Sequence, residues 1–268
     1  VSQLPYTDTL YRTTLQPVSW FDRTFPTFTF YRRFLALIFK ASANAKRGEY
    51  DDTDYCQSNY DILRALERVG VHCEITGIEH VAQLQTPCVV VGNHTSILET
   101  VVLPGIVRPL QRVVFVVKQS LLEYPVFKHI LRTRDPIAVS RTNPRQDLKA
   151  VLREGTDRLE RGRSIIVFPQ TTRTLELDPN RFSTLGIKLA RRAGVPVVPL
   201  ALMTDAWGNG KLLKDFGKID PSKAVRFAFG EPMWIHGRGT DEHQAVIEFI
   251  DRNLQAWKQG PLPGRERG

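Results

Sequence analysis

Short apolar runs rich in β-branched residues alternate along this chain with longer stretches of helical periodicity, and this alternation constrains the architecture more than any other feature. Residues 87–91, 112–117, 136–139, 164–168, 196–202 and 224–229 read as strands. Around them, 59–69, 145–161, 181–193 and 241–258 carry apolar residues at helical spacings, and Gly70, Gly162 and Gly194 stand where three of these helices should stop. Strands alternating with helices predict an α/β domain with a mainly parallel central sheet flanked by helices. In 196–202, Pro196 and Pro199 interrupt the apolar run, which suits an edge strand or strand ends.

Residues 1–48 differ in kind. Trp20, Phe21, Phe25, Phe28, Phe30, Tyr31, Phe34 and Phe39 interleave with Arg23, Arg32, Arg33 and Lys40. Pro26 interrupts any single helix, so a short helix, a break and a second helix over about 28–46 are expected. Aromatic and basic residues so mixed suit a helical element lying in the headgroup region of a bilayer. The alternative is that these aromatics pack on the domain as ordinary core. The polar, acidic stretch 48–54 reads as a connector, dividing the chain into a membrane-associating element, 1–48, and an α/β domain, 49–268.

Charge narrows the choice of partner. Against 28 acidic residues the chain carries 37 Lys and Arg, a formal net charge of +9. That favours an anionic partner: nucleic acid, a phosphorylated substrate or anionic lipid. For nucleic acid there is neither a recognised motif nor an aromatic–basic strand platform. The apolar run 34–39 is far shorter than the roughly 20 residues of a membrane span and is bracketed by Arg32, Arg33 and Lys40. Cys56, Cys73 and Cys88 form no CxxC pair and no zinc spacing, and read as buried or incidental thiols in a reducing compartment.

The apolar run at 88–91 ends at Gly92, and Asn93-His94 follow at the strand end where such sheets bind ligands. His94 and Glu99 would lie roughly 140° apart on one continuous helix. They meet only if His94 precedes the helix and Glu99 sits in its first turn, with Ser96 as N-cap. Two readings of the segment then stand. A neutral imidazole there can take a proton from an attacking hydroxyl while a carboxylate holds its other ring nitrogen. Alternatively, Ser96-Ile97-Leu98-Glu99 is a capping box and His94 a polar loop residue, which the local spacing alone favours. After the next strands come Lys118 and Arg141, which could share an anionic site. Phe168-Pro169-Gln170-Thr171-Thr172-Arg173-Thr174 offers hydroxyls, amides and a guanidinium able to cradle a phosphate.

Taken in order, Asn93-His94 with Glu99, then Lys118, Pro125 and Arg141, then the segment 168–174, then Val195-Pro196-Val197-Val198-Pro199 resemble the 1-acylglycerol-3-phosphate acyltransferase family over about residues 75–205. The family pattern is Asn-His-x-x-x-x-Asp, Lys…Pro…Arg, Phe-Pro-Glu-Gly-Thr-Arg-Ser and Val-Pro-x-x-Pro. The resemblance implies a glycerolipid-acyltransferase-like α/β fold preceded by a short two-helix membrane-binding element, which residues 17–46 fit. It implies transfer of a fatty acyl group from acyl-CoA or acyl carrier protein, as co-substrate, to a hydroxyl of a lysophospholipid. His94 would be the general base and Glu99 its carboxylate partner. Asn93, Lys118, Arg141, Gln170, Thr171, Thr172 and Arg173 would line the acceptor site, with Arg173, Arg141 and Lys118 on the phosphate. No metal or prosthetic group is implied, and no nucleic acid. The protein would be peripheral, on the cytoplasmic face of a membrane.

The departures from the pattern fall mostly on the acceptor side. Glu99 stands for the usual Asp, Gln170 for Glu, Thr171 for Gly, and Lys128 where a Gly often follows Phe. A β-branched residue tolerates positive φ poorly, so the loop at Thr171 is expected to differ in shape, and the acceptor to differ from plain lysophosphatidate or to be a modified one. The alternative to an enzyme is a non-catalytic lipid- or phosphate-binding relative, the altered loop marking lost turnover.

Overall fold

The alternation in sequence becomes one eight-stranded sheet with helices on both faces in the computed structural model, which describes residues 10–14, 17–170, 172–210 and 215–260. The strands are β1 (Leu10–Arg12), β2 (Cys73–Thr76), β3 (Val89–Gly92), β4 (Val113–Lys118), β5 (Ile137–Val139), β6 (Ser164–Val167), β7 (Val197–Met203) and β8 (Val225–Phe229). The helices are α1 (Trp20–Thr24), α2 (Pro26–Arg47), α3 (Asp52–Arg68), α4 (Glu79–Ala82), α5 (Leu98–Val107), α6 (Phe127–Arg132), α7 (Pro144–Glu160), α8 (Leu185–Ala193) and α9 (Thr240–Gln259). Strand order is β1-β2-β8-β7-β3-β6-β4-β5. The run from β7 to β5 is parallel, as is β2 with β8, while β7–β8 and β1–β2 are antiparallel.

The central strands are buried on both sides, which is why they read as continuous apolar runs instead of alternating ones. In β3, Val90 enters a core shared with α2, α3 and α5, while Val89 and Val91 enter a second core with α7, α8 and α9. The buried free thiols Cys56 and Cys73 sit in or beside the first core, and burial pushes the Cys88 thiol up to about 11. At that value it stays protonated and unreactive at neutral pH.

Several boundaries differ from the sequence reading, each for a local reason. The proline-containing strand β7 is central, between β3 and β8. Pro196 lies outside it, and Pro199 falls at the last step of the ladder to β8: its carbonyl accepts from Gly230, just past the end of β8, at 2.8 Å. The missing N–H therefore costs only the reciprocal bond at the end of that ladder. The acidic connector is the start of α3, because Asp51 and Asp54 form a reciprocal capping box. The helix expected over 181–193 is a 3₁₀ turn at Pro179–Arg181 followed by α8, and Asp178 accepts from the Asn180 amide at 3.0 Å where the turn begins. Strands β1 and β2 had no sequence signal and depend on pairing with distant residues.

The aromatic stretch forms two helices, with Pro26 at the first position of α2. α2 carries two apolar stripes roughly 120° apart. Phe30, Phe34 and Ile38 face inward, where Phe30 and Phe34 stack at 5.6 Å and Trp207 meets Phe34 edge-on at 5.0 Å. Phe28, Leu35 and Phe39 face outward and are exposed. Thus α2, like β1, belongs to the core and sheet shared with the later residues. Phe34→Ala should destabilise the protein by about 3–5 kcal/mol, seen as a lower urea midpoint; a change below about 1 kcal/mol would show that α2 is not part of the cooperative core.

Candidate active site

Loops at one edge of the sheet build the site. β3 and β6 are neighbours, yet the chain leaves β3 toward α5 on one face and β6 toward α8 on the other, so a crevice opens beyond their carboxyl ends. β7, on the other side of β3, brings Thr204 to the same edge.

Asn93 prolongs the β3–β7 ladder with its side chain. Its Nδ2 donates to the Leu202 carbonyl at 2.8 Å and its Oδ1 accepts the Leu202 amide at 2.9 Å. That holds the turn into His94. The His94 backbone is then gripped at both ends by the next loop: its amide donates to Gln170 Oε1 at 2.6 Å, and its carbonyl accepts from the Thr174 amide at 2.9 Å. The imidazole lies flat against Phe168, centroids 4.8 Å apart and planes 7° apart, and Nδ1 is 2.8 Å from Glu99 Oε1. One contact sets the plane of the ring and the other its rotation. A carboxylate on Nδ1 keeps the proton there and leaves Nε2 as the basic nitrogen.

Glu99 is fully buried, at 0% exposure, and each oxygen is saturated. Oε1 accepts the Thr95 amide at 2.7 Å and the Ser96 amide at 3.0 Å besides the imidazole. Oε2 accepts the Ser96 hydroxyl at 3.2 Å and the hydroxyl of Thr204. Burial by itself raises the carboxyl, but the hydrogen bond and charge of His94 and the Thr204 hydroxyl outweigh it and hold Glu99 below the ordinary carboxylate value. Cap and imidazole partner are therefore one geometry. The expected N-cap shifts: α5 begins after Ile97, and the Ser96 hydroxyl accepts the Leu98 amide at 3.0 Å from just outside. Thr204 escaped the sequence reading; its only signal is that it is the first polar residue after the apolar run of β7.

The other expected residues are spread along the edge. Gln170 touches the His94 backbone through an oxygen that a Glu would also supply, so the departure from the family pattern keeps the bond. Thr171 lies outside the described residues, and Thr172 is exposed. Arg173 is half-buried, its Nη1 donating to Asp215 at 2.6 Å. Lys118 and Arg141 are exposed at the ends of β4 and β5, two and three strands from β3, or roughly 10 and 14 Å at the usual strand spacing. Arg173 is thus in the loop whose Gln170 and Thr174 hold the His94 backbone, and the other two cations lie further along the edge. Asp147 shapes the Arg141 turn, accepting the amides of Ser140 and Arg141 at 2.8 and 2.7 Å.

Because the folded value of Glu99 lies below the ordinary 4.5, its stabilising contribution is fully present above about pH 4.5 and is lost as pH falls through the folded value. Glu99→Gln cannot reproduce this, since an amide has one acceptor oxygen and presents two donors to donors. The variant should unfold about 3–5 kcal/mol more easily at pH 7, and calorimetry should show the gap to the native protein closing below pH 4.5. A gap independent of pH would mean that Glu99 folds uncharged.

Comparison with known proteins accords with this geometry. The family model described as Acyltransferase matches residues 72–203, which include His94, Glu99 and Arg173. The 1-acyl-sn-glycerol-3-phosphate acyltransferase of Pseudomonas aeruginosa is 30% identical over 188 residues, 70% of this chain and 68% of that protein. A chloroplastic 1-acyl-sn-glycerol-3-phosphate acyltransferase of Arabidopsis thaliana is 27% identical over 62% of this chain, which spans 44% of that longer protein. The crystal structure of the 1-acyl-sn-glycerophosphate acyltransferase from Thermotoga maritima shares the fold, with a TM-score of 0.63 at 21% identity over 90% of this chain and 98% of that one. With a His–Glu pair at the carboxyl edge of a mainly parallel sheet and a relative this similar over two thirds of its length, the chain is an acyltransferase belonging to the 1-acylglycerol-3-phosphate acyltransferase family.

Proposed function

We propose that the protein transfers a fatty acyl group from a thioester, acyl-CoA or acyl carrier protein, to the free hydroxyl of 1-acylglycerol-3-phosphate or a closely related lysophospholipid, working at a membrane surface. The observation that carries this reading is the His94 Nδ1–Glu99 bond of 2.8 Å on a carboxylate with no exposure, which leaves Nε2 as a fixed base. As the acceptor oxygen attacks the thioester carbonyl, Nε2 takes the hydroxyl proton, and Glu99 stabilises the imidazolium. Collapse of the tetrahedral intermediate breaks the carbon–sulfur bond, and the imidazolium returns the proton to the departing thiolate. Arg173, which precedes the Thr174 amide bonded to the His94 carbonyl, takes the acceptor phosphate in this reading.

Two further features support amphiphilic substrates. A groove of about 350 Å³ is walled by Leu35, Ile38, Phe39, Val126, Phe127 and Phe216, a suitable lining for an acyl chain. Beside it, α1 and α2 expose a continuous set of large apolar side chains, with Trp20 75% and Phe28 62% exposed. No helix among the described residues is long and apolar enough to cross a membrane.

In single-turnover assays with radiolabelled acyl-CoA, run below the lowered thermal midpoint expected when buried Glu99 loses a donor, His94→Ala should slow transfer by about 10²–10⁴-fold; transfer at the native rate would remove His94 from the mechanism. A panel of lysophospholipid acceptors should show whether the Gln170–Thr171 departures move preference away from lysophosphatidate; lysophosphatidate ranking first would end that idea. For the membrane contact, replacing Trp20, Phe28 and Phe39 together by Ser should abolish sedimentation with anionic vesicles without lowering stability. Deleting the helices would be a poor test, since it removes Phe30 and Phe34 from the core. Undiminished sedimentation of the triple variant would overturn the membrane role of this face.

A further inference from the structure

The guanidinium assigned above to the acceptor phosphate is already held by the protein. Arg173 Nη1 donates to Asp215 Oδ1 at 2.6 Å, with the two side chains 22% and 23% exposed. The bond has a single prong. Among the described residues only Nη1 is engaged, so the edge formed by Nε and Nη2 keeps two parallel donors, the fork that suits a phosphate. An arriving phosphate on that edge stands across the guanidinium from the Asp215 carboxylate and avoids direct repulsion between the two anions.

Asp215 is itself carried on a braced segment. The next residue, Phe216, packs on Tyr31 of α2 with ring centroids 5.7 Å apart. The Gly217 carbonyl accepts the Tyr31 hydroxyl at 2.7 Å. Gly217 is pressed against Gly208 so closely that an added Cβ would stand 1.7 Å from the Gly208 carbonyl oxygen, and Gly208 donates to Lys218 at 2.9 Å. On the other side, Arg173 lies between Gln170 and Thr174, the two residues that grip the His94 backbone. The Arg173–Asp215 pair therefore joins the His94 loop to the helix that bears the exposed aromatic face.

We infer that Asp215 is a positioning residue for the acceptor: by holding Nη1 of Arg173 it aims the Nε–Nη2 edge at the acceptor phosphate, and Tyr31 of α2 sets that aim through Phe216 and Gly217. The inference rests on the reading of Arg173 as the phosphate-binding residue. A flexible guanidinium that must find its orientation at each encounter loses affinity to side-chain entropy; one locked by a carboxylate does not.

The test uses the full chain, with 1-acylglycerol-3-phosphate in mixed micelles as acceptor and acyl-CoA as donor. Asp215→Asn should raise the acceptor KM by about 3- to 10-fold, with kcat and donor KM changed less than about two-fold, and Asp215→Glu should recover at least half of the loss. Tyr31→Phe should move the acceptor KM the same way, and the Tyr31→Phe/Asp215→Asn double variant should be no worse than Asp215→Asn alone. An unchanged or lowered acceptor KM in Asp215→Asn overturns the inference, and an additive double variant overturns the link to α2. Arg173→Ala separates the two readings. If it raises the acceptor KM and makes Asp215→Asn silent, both stand; if it raises KM while Asp215→Asn has no effect in the native background, only the positioning role falls. If Arg173→Ala leaves the acceptor KM unaltered, the phosphate reading of Arg173 fails and takes the positioning role with it.

Discussion

A carboxylate removed from water is the interaction on which the rest of this structure turns. Glu99 has no solvent contact, and an isolated buried charge of that kind would cost several kcal/mol. It is tolerated because the donors converge on it: the His94 imidazole, the amides of Thr95 and Ser96, and the hydroxyls of Ser96 and Thr204. These come from the turn after β3 and from the end of β7, so the anion is satisfied only when the two strands are in register. The same arrangement that compensates the charge fixes the imidazole. Stability of the sheet edge and geometry of the imidazole are in this sense one property.

The sequence showed the parts of this that are local. The apolar runs of β3 to β8 follow from strands buried on both faces, and the amphipathic periods of α7 and α9 from helices buried on one. His94 and Glu99 were visible as a pair because a helix start between them is the only way they meet. What remained hidden depends on partners far along the chain. Thr204 acquires meaning only from the pairing of β7 with β3, and Asp215 only from a contact 42 residues away with Arg173. β1 is three residues long and is held by a ladder to residues 74–76. Pro199 was read as the mark of an edge because the rule about proline concerns a ladder bond, and here only the terminal bond of the ladder to β8 is forgone.

The aromatic stretch poses a different problem, since it divides between core and exposed residues. Phe30, Phe34 and Ile38 recur at intervals of four and line the core; Phe28, Leu35 and Phe39 recur at seven and four and line the outside. On a helix of 3.6 residues per turn these sets lie roughly 120° apart. A single count of aromatic and basic residues merges the two stripes, whereas the structure separates them. The consequence is mechanical as well as topological. A helix whose inner stripe is packed against Trp207, itself beyond the end of β7, is rigidly connected to the strand that supplies Thr204.

That rigid connection bears on how an amphiphile could be read by one site. Asp215 meets Arg173, while its neighbour Phe216 lines the apolar groove and touches Tyr31. Adjacent residues thus serve a charged wall and an apolar wall, and their separation is fixed by covalent geometry. A lysophospholipid has the same polarity, with a phosphate at one end and a chain at the other, and its reacting hydroxyl lies between them. If α2 rests in a bilayer, the depth of its outer stripe fixes the height of the groove, and through Phe216 and Asp215 the height of the guanidinium. The protein would then measure the acceptor against the membrane surface before the base acts, and the identity of the headgroup would be decided by what fits beside Arg173 at that height.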